Sequence, residues 1–191
     1  MSERGLTVLE LLFVIAIGVT LTAIAVPLLG SSLDAIKTTS AARYLEGRIM
    51  LARMEAIKRS RAVGLRFQPS EGDYLYATYA DGNRNGIRTA DIAQGVDAPL
   101  GDAERLGDKY GGVRLELIPG VPDIDGSDDG TRDGLRIGAA RILTMNPDGT
   151  SSSGTIYVRG RHTQYAVRVF GVTGRTRVLQ YRSGEAAWIS R

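Results

Sequence analysis

The residues able to do chemistry in this 191-residue chain are few, and their spacing can be tested against known sites. In Asp81-Gly-Asn83-Arg-Asn85-Gly86, oxygens at positions one, three and five precede a glycine at six, which is how an EF-hand-like calcium loop opens. Such a loop closes on a bidentate acid at position twelve, but that position is Ile92, with Asp91 one short. Asn and Gly also build turns without metal, by bonding their own backbone and accepting positive φ, so Asp81, Asn83 and Asn85 read as a turn with only a weak calcium signal. The stretch Asp123-Ile-Asp125-Gly-Ser-Asp128-Asp129-Gly130 is denser in acid, yet its spacing fits no standard site and reads as a solvated loop. The single histidine, His162, has no partners signalled for a triad or a metal pair. Ser151–Ser153 lies in a loop between glycines, and no phosphate loop or dinucleotide fingerprint occurs. The chain therefore reads as neither an enzyme nor a cofactor carrier. It has no cysteine, which excludes disulfides and thiolate metal sites.

Two groups of charges remain. Gly174-Arg175-Thr176-Arg177 places two guanidinium groups at i and i+2, on one side of a strand, where they could grip successive phosphates. Arg159, Arg161, Arg168 and Arg182 lie nearby in sequence. A solvated, charge-protected strand edge is the competing reading. The net charge of +3 hides an acidic middle: residues 69–133 carry 14 acids against 6 bases, whereas residues 134–191 carry 9 bases against 2 acids.

The other is Glu10, alone at the mouth of an apolar run with no further charge until Asp34. Leu11 to Leu29 is 19 uncharged residues, a helix of about 28 Å, close to the hydrocarbon thickness of a bilayer. An acid there is costly unless paired. A secretory signal peptide is the plain alternative, with Arg4 in front and Ala23-Ile24-Ala25 as a cleavage site. Against it, the leading five residues carry little net charge, and a signal peptide gains nothing from the acid.

The elements that must position these residues follow from periodicity. Past the membrane, Leu45, Ile49, Ala52 and Ala56 recur at helical spacing, with Met50, Met54 and Ile57 beside them in one broad apolar stripe meant to lie on a sheet. The helix should end near residues 60–62. Val63, Leu65 and Phe67 then alternate as a strand, residues 73–79 form a second, and residues 68–72 turn between them. Further strands are expected at 113–118, 135–137, 141–145, 155–159, 164–170 and 176–181, with Gly160, Gly171 and Gly174 in the connections. Short hairpin links favour antiparallel pairing. The fold class is α+β: one long N-terminal helix, transmembrane and then amphipathic, packed on antiparallel β-sheet structure.

At this point the residues resemble a family. Gly5-Leu6-Thr7-Val8-Leu9-Glu10-Leu11 is similar to the prepilin processing motif of type IV pilins and type II secretion pseudopilins. The resemblance implies cleavage between Gly5 and Leu6 by prepilin peptidase, and N-methylation at Leu6, which is more often Phe in the family. It implies that Glu10 meets the terminal amine of a neighbouring subunit during assembly, although an amine on Leu6 lies one helical turn away and could pair within the chain. Gly18 and Pro27 interrupt the run; pilin-like subunits similarly carry a proline at this depth, where the helix bends or melts during filament assembly, and the plain reading is a helix kink. Ala52-Arg53-Met54-Glu55-Ala56-Ile57, Val63-Gly64-Leu65, Asp81 to Gly86, and Asn146-Pro147-Asp148-Gly149 before Gly154-Thr155-Ile156 together resemble the GspH/FimT group of minor pseudopilins. Gly101–Gly112 and Pro119–Gly134 depart from it as long polar connections.

The implied organisation is a leader (1–5), a transmembrane helix half (6–29), an amphipathic half (30–61) and a periplasmic β-rich domain (62–191). The implied role is a single-pass subunit of the bacterial inner membrane that enters the filament of a type II secretion system or a related pilus machine, near its tip. Its implied partners are other pseudopilins or pilins, prepilin peptidase and the inner-membrane assembly platform. As an alternative, Gly174 to Arg177 resembles the Gly-Arg-any-Arg signature of DNA-binding FimT-like minor pilins of natural transformation, with Arg175 and Arg177 on the DNA.

Overall fold

The computed structural model describes residues 7–127 and 130–190, with only the backbone of residues 27 and 28. One helix, α1 (Val8–Arg59), accounts for 52 of them and passes through Gly18 and Pro27 without interruption. It starts on a capping box: the Thr7 hydroxyl accepts from the Glu10 amide, and the Glu10 carboxylate accepts from the Thr7 amide at 2.9 Å. It stops at Ser60, whose left-handed φ of 50° returns the chain's N–H groups to the last carbonyls.

The rest of the chain forms two antiparallel sheets. The first contains β1 (Val63–Ser70), β2 (Asp73–Ala80), β3 (Ala98–Pro99), β4 (Glu104–Arg105) and β6 (Ile142–Met145), in the order β3-β2-β1-β6, with β4 also on β2. The second contains β5 (Leu135–Arg136), β7 (Gly154–Arg159), β8 (Gln164–Phe170), β9 (Arg175–Arg182) and β10 (Ala187–Ser190), in the order β10-β9-β8-β7-β5. Short helices α2 (Thr89–Ala93) and α3 (Leu106–Lys109) lie in the connections. The β1–β2 connection is tighter than the five residues expected: β1 runs on to Ser70, and Glu71 and Gly72, both at positive φ, make a two-residue turn.

The C-terminal half of α1 lies against both sheets. Ala41, Ala42, Leu45, Ile49, Ala52 and Ala56 are buried against Val63, Leu65 and Phe67 of β1, Leu143 and Met145 of β6, and Val167, Val169 and Val178 of the second sheet. Four alanines on this arc let the backbone approach the sheets closely. Met50, Met54 and Ile57 do not join them: they are 58%, 60% and 51% exposed, and with Leu51 they form a separate outward stripe. The single broad stripe expected from the sequence is therefore two arcs, of which only the small-residue one is packed.

Residues 113–118, expected as a strand, make only isolated bridges, Arg114 to Arg159 and Glu116 to Asp133. Side chains hold this segment instead. The buried Gln164 amide accepts from the Ile118 N–H and donates to the Glu116 carbonyl, and Asp73 accepts from the Leu115 N–H. With its backbone groups met in this way, the segment has no need of a ladder. It covers the outer face of the second sheet, where Leu117 and Val121 pack with Tyr157, Ala166, Tyr181 and Trp188. The Trp188 indole donates to the Pro122 carbonyl at 3.0 Å.

Candidate assembly helix and arginine face

Along the first half of α1 the large apolar side chains face outward: Leu9, Phe13, Ile17, Leu21, Ile24, Leu29 and Leu33 are all more than half exposed. Among the described residues this is the one helix long and apolar enough to cross a membrane. Thr20 and Thr22 donate their hydroxyls to the carbonyls of Ala16 and Gly18, which hides their polarity within the helix. Glu10, the acid in this apolar surface, is turned back on Thr7, accepting from both its N–H and its hydroxyl. Gly5 and Leu6 lie outside the described residues. Of Gly18 and Pro27, the structure gives the unbroken helical backbone.

Where the apolar surface ends, Asp34 makes the first tie between helix and domain. Its carboxylate accepts from the N–H groups of Arg161 (2.8 Å) and His162 (3.0 Å) and from the Thr163 hydroxyl (3.0 Å), at the β7–β8 hairpin. Gly160 permits this approach: a Cβ there would stand 2.2 Å from the Thr38 hydroxyl and 2.5 Å from the Asp34 carboxylate. Burial alone would raise the Asp34 pKa, but these donors and the potential of His162 hold it below the usual carboxylate range.

Asp81, Asn83 and Asn85 come together in one loop, yet Asp81 points its oxygens at amides. Oδ1 accepts from Asn83 and Arg84, and Oδ2 accepts from Gly86 at 2.8 Å. Asn83 accepts from the Asn85 N–H and donates to Asp91. Asp97, also buried, accepts from Gly82 and Arg88 and closes the loop from below. No cluster of three metal-binding side chains occurs among the described residues.

The structure does gather the arginines. Arg175 and Arg177 are exposed on the same side of β9, while Thr176 between them turns inward and donates to Glu46 of α1. The tight turn before them needs Gly174, at φ +58°, where a Cβ would strike the Gly149 carbonyl at 2.3 Å. Cross-strand register extends the pair into a row. Arg177 is opposite Arg168, Arg168 is opposite Thr155, and Thr155 is opposite Arg136. Arg175 is opposite Phe170, whose ring lies below the guanidinium groups of Arg177 (5.6 Å) and Arg168 (6.0 Å). Together these residues line one open concavity of about 840 Å³. Among the described residues neither Arg175 nor Arg177 makes an ion pair, whereas Arg168 is bonded to Asp125 at 2.8 Å. Arg136 and Phe170 were not singled out by the sequence; only the pairing register reveals them.

Comparison with known proteins points to one family. Residues 41–173 match the family model described as "Type II transport protein GspH". Over 85 residues the chain is 42% identical to the pilin-like protein PilA1 of Thermus thermophilus; the match takes in 44% of this chain, which spans about half of that protein's length (53%). Among solved structures, the minor pseudopilin EpsH from the type 2 secretion system of Vibrio cholerae aligns with a TM-score of 0.48 at 14% identity, over 74% of this chain and 94% of that one. With the family model matched over most of this chain, and with an apolar helix ahead of an antiparallel β domain, the chain belongs to the GspH family of type II transport proteins, a structural and not an enzymatic family.

Proposed function

We propose that the chain waits in the inner membrane on the apolar half of α1, its domain in the periplasm, and then enters the pseudopilus of a type II secretion system or a related pilus near the tip. The observation that carries this reading is α1 itself. The large apolar side chains of its first half are exposed, and the outward stripe of Met50, Leu51, Met54 and Ile57 continues that exposed apolar surface toward its far end. A helix apolar on all faces suits lipid and a bundle of similar helices equally. Gly18 and Pro27 supply the weak points at which it adapts during transfer.

In this reading prepilin peptidase cuts between Gly5 and Leu6, the new amine is methylated, and Glu10 sets register by receiving the amine of a neighbour. The Thr7 contacts are consistent with that role: Glu10 accepts two neutral donors, and a cationic amine is a stronger one. The test is mass analysis of the mature chain together with incorporation of Glu10→Gln into filaments. A terminus at Leu6 and a strong loss of incorporation are expected. A retained leader, or full incorporation of the variant, overturns the assignment.

A second reading is favoured by the arginine row. A concave face carrying Arg136, Arg168, Arg175 and Arg177 around an exposed aromatic ring is suited to a polyanion, and DNA uptake would use it. Arg175→Ala with Arg177→Ala should then abolish a salt-sensitive affinity for DNA; a secretion subunit should show no such affinity to lose.

A further inference from the structure

The tie at Asp34 also fixes where the domain sits relative to the bilayer. Leu29 ends the 19-residue apolar run, and Asp34 follows it by five residues, about 7 Å along the helix. The headgroup layer on each side of a bilayer is about 6 Å deep. Because the Asp34 carboxylate binds the backbone of Arg161 and His162 directly, the tip of the β7–β8 hairpin is held at headgroup height whenever α1 spans the membrane.

The residues at that height suit the position. Arg161 and Lys37 are exposed, and among the described residues neither makes an ion pair. Leu33 and Ile36, 55% and 62% exposed, flank the tie on the helix and are drawn toward the hydrocarbon edge. Beside the hairpin, Arg161, His162, Ile118, Val121 and Tyr181 line an open groove of about 300 Å³. A cation at the rim of tyrosine and aliphatic walls is the composition found at membrane interfaces. The arginine row is placed differently: β8 carries it away from this hairpin toward the β8–β9 turn, so its charge is not directed at the same surface.

We propose that the Gly160–Thr163 hairpin and Lys37 dock the folded domain onto the anionic phospholipid headgroups of the membrane that its own helix crosses. The inference rests on the reading of α1 as a membrane span. Each base held at an anionic surface is worth about fivefold in occupancy, so Arg161 and Lys37 together make the docked state roughly 25-fold more favoured on anionic than on zwitterionic lipid. Docking holds the waiting subunit in a fixed attitude, and it is broken when the helix leaves the bilayer for the filament.

The chain has no cysteine, so single nitroxide labels can be placed cleanly. The full chain is reconstituted into nanodiscs of phosphatidylcholine, with or without phosphatidylglycerol, each containing a nickel-chelating headgroup lipid. Labels on Ile17→Cys, Ser183→Cys and Val172→Cys report the span, the hairpin pole and the opposite pole at the β8–β9 turn, where Val172 is exposed. The expected result is a label at 17 shielded in hydrocarbon throughout, and headgroup collisions at 183 that rise with phosphatidylglycerol. Those collisions should fall back with Arg161→Gln and Lys37→Gln, and the label at 172 should not respond to the lipid. If 17 is shielded and 183 ignores both lipid charge and the substitutions, docking is overturned while the span stands. If 17 is in water, the span fails and docking fails with it.

Discussion

Arg177 stands directly opposite Arg168 on the neighbouring strand, and Arg168 is bonded at 2.8 Å to Asp125, across the outer face of the second sheet. Like charges placed opposite one another in a sheet repel. Here the acid from the 123–127 loop offsets one of them, and the Phe170 ring below both offsets part of the rest. The same acid occupies a guanidinium that a polyanion would otherwise contact.

Asp125→Asn should therefore free Arg168 at little structural cost. The Asp125 side chain is 66% exposed, and an exposed ion pair contributes roughly 0–1 kcal/mol. If the arginine row binds DNA, the variant gains about one phosphate contact, so the slope of log affinity against log salt steepens by about one. Fluorescence anisotropy of a labelled duplex across a salt series reads this. A slope identical to that of the parent protein would show that Arg168 lies outside the binding face.

The Asp34 tie gives a second prediction, with a pH dependence. Asp34→Ala leaves two amides and a hydroxyl of the hairpin without their acceptor, a loss of about 1–3 kcal/mol by chemical denaturation. The Asp34 carboxyl is held below its ordinary range in the folded state. Its contribution is thus fully present above the unfolded-state value near 4 and is lost as pH falls through the folded-state value. The stability difference between the parent chain and Asp34→Asn should be constant from neutrality down to about pH 5 and shrink below about pH 4. A difference that grew on acidification would assign the tie the wrong sign.

How much of this was legible in the sequence depended on the range over which each signal acts. The alternation of Val63, Leu65 and Phe67 and the glycine-marked hairpins of β7 to β9 are local, and they fold as read. Residues 113–118 alternate equally well, but the ladder is replaced by the side chains of Gln164 and Asp73, which no local pattern announces. The terminal strand around Trp188 is four residues long, too short to declare itself before its pairing with β9 is known. Arg175 and Arg177 could be found because i and i+2 share a strand face. Arg168 and Arg136 join them only through the register of three strand pairs. Asp34 looked like the mere end of an apolar run, because its partners are 127 to 129 residues away.

The two apolar arcs of α1 separate stability from assembly. Ile49 is 1% exposed in the small-residue arc, so Ile49→Ala removes packed volume from the core and should cost about 2–5 kcal/mol. Met54, five residues farther on and on the other arc, is 60% exposed. Met54→Asp removes no contact of the isolated domain and should change its stability by no more than about 0.5 kcal/mol. Yet it places a charge on the surface that the assembly reading assigns to neighbouring subunits, where an unpaired carboxylate is costly to bury. Thermal melting of the purified chains, read beside filament incorporation in cells, distinguishes the arcs. Ile49→Ala should lower both readouts together, whereas Met54→Asp should leave melting intact and abolish incorporation. Incorporation of Met54→Asp at the parent level would mean that the outward stripe faces solvent in the filament, and the helix-to-helix contacts would then be confined to the apolar half of α1 that precedes Asp34.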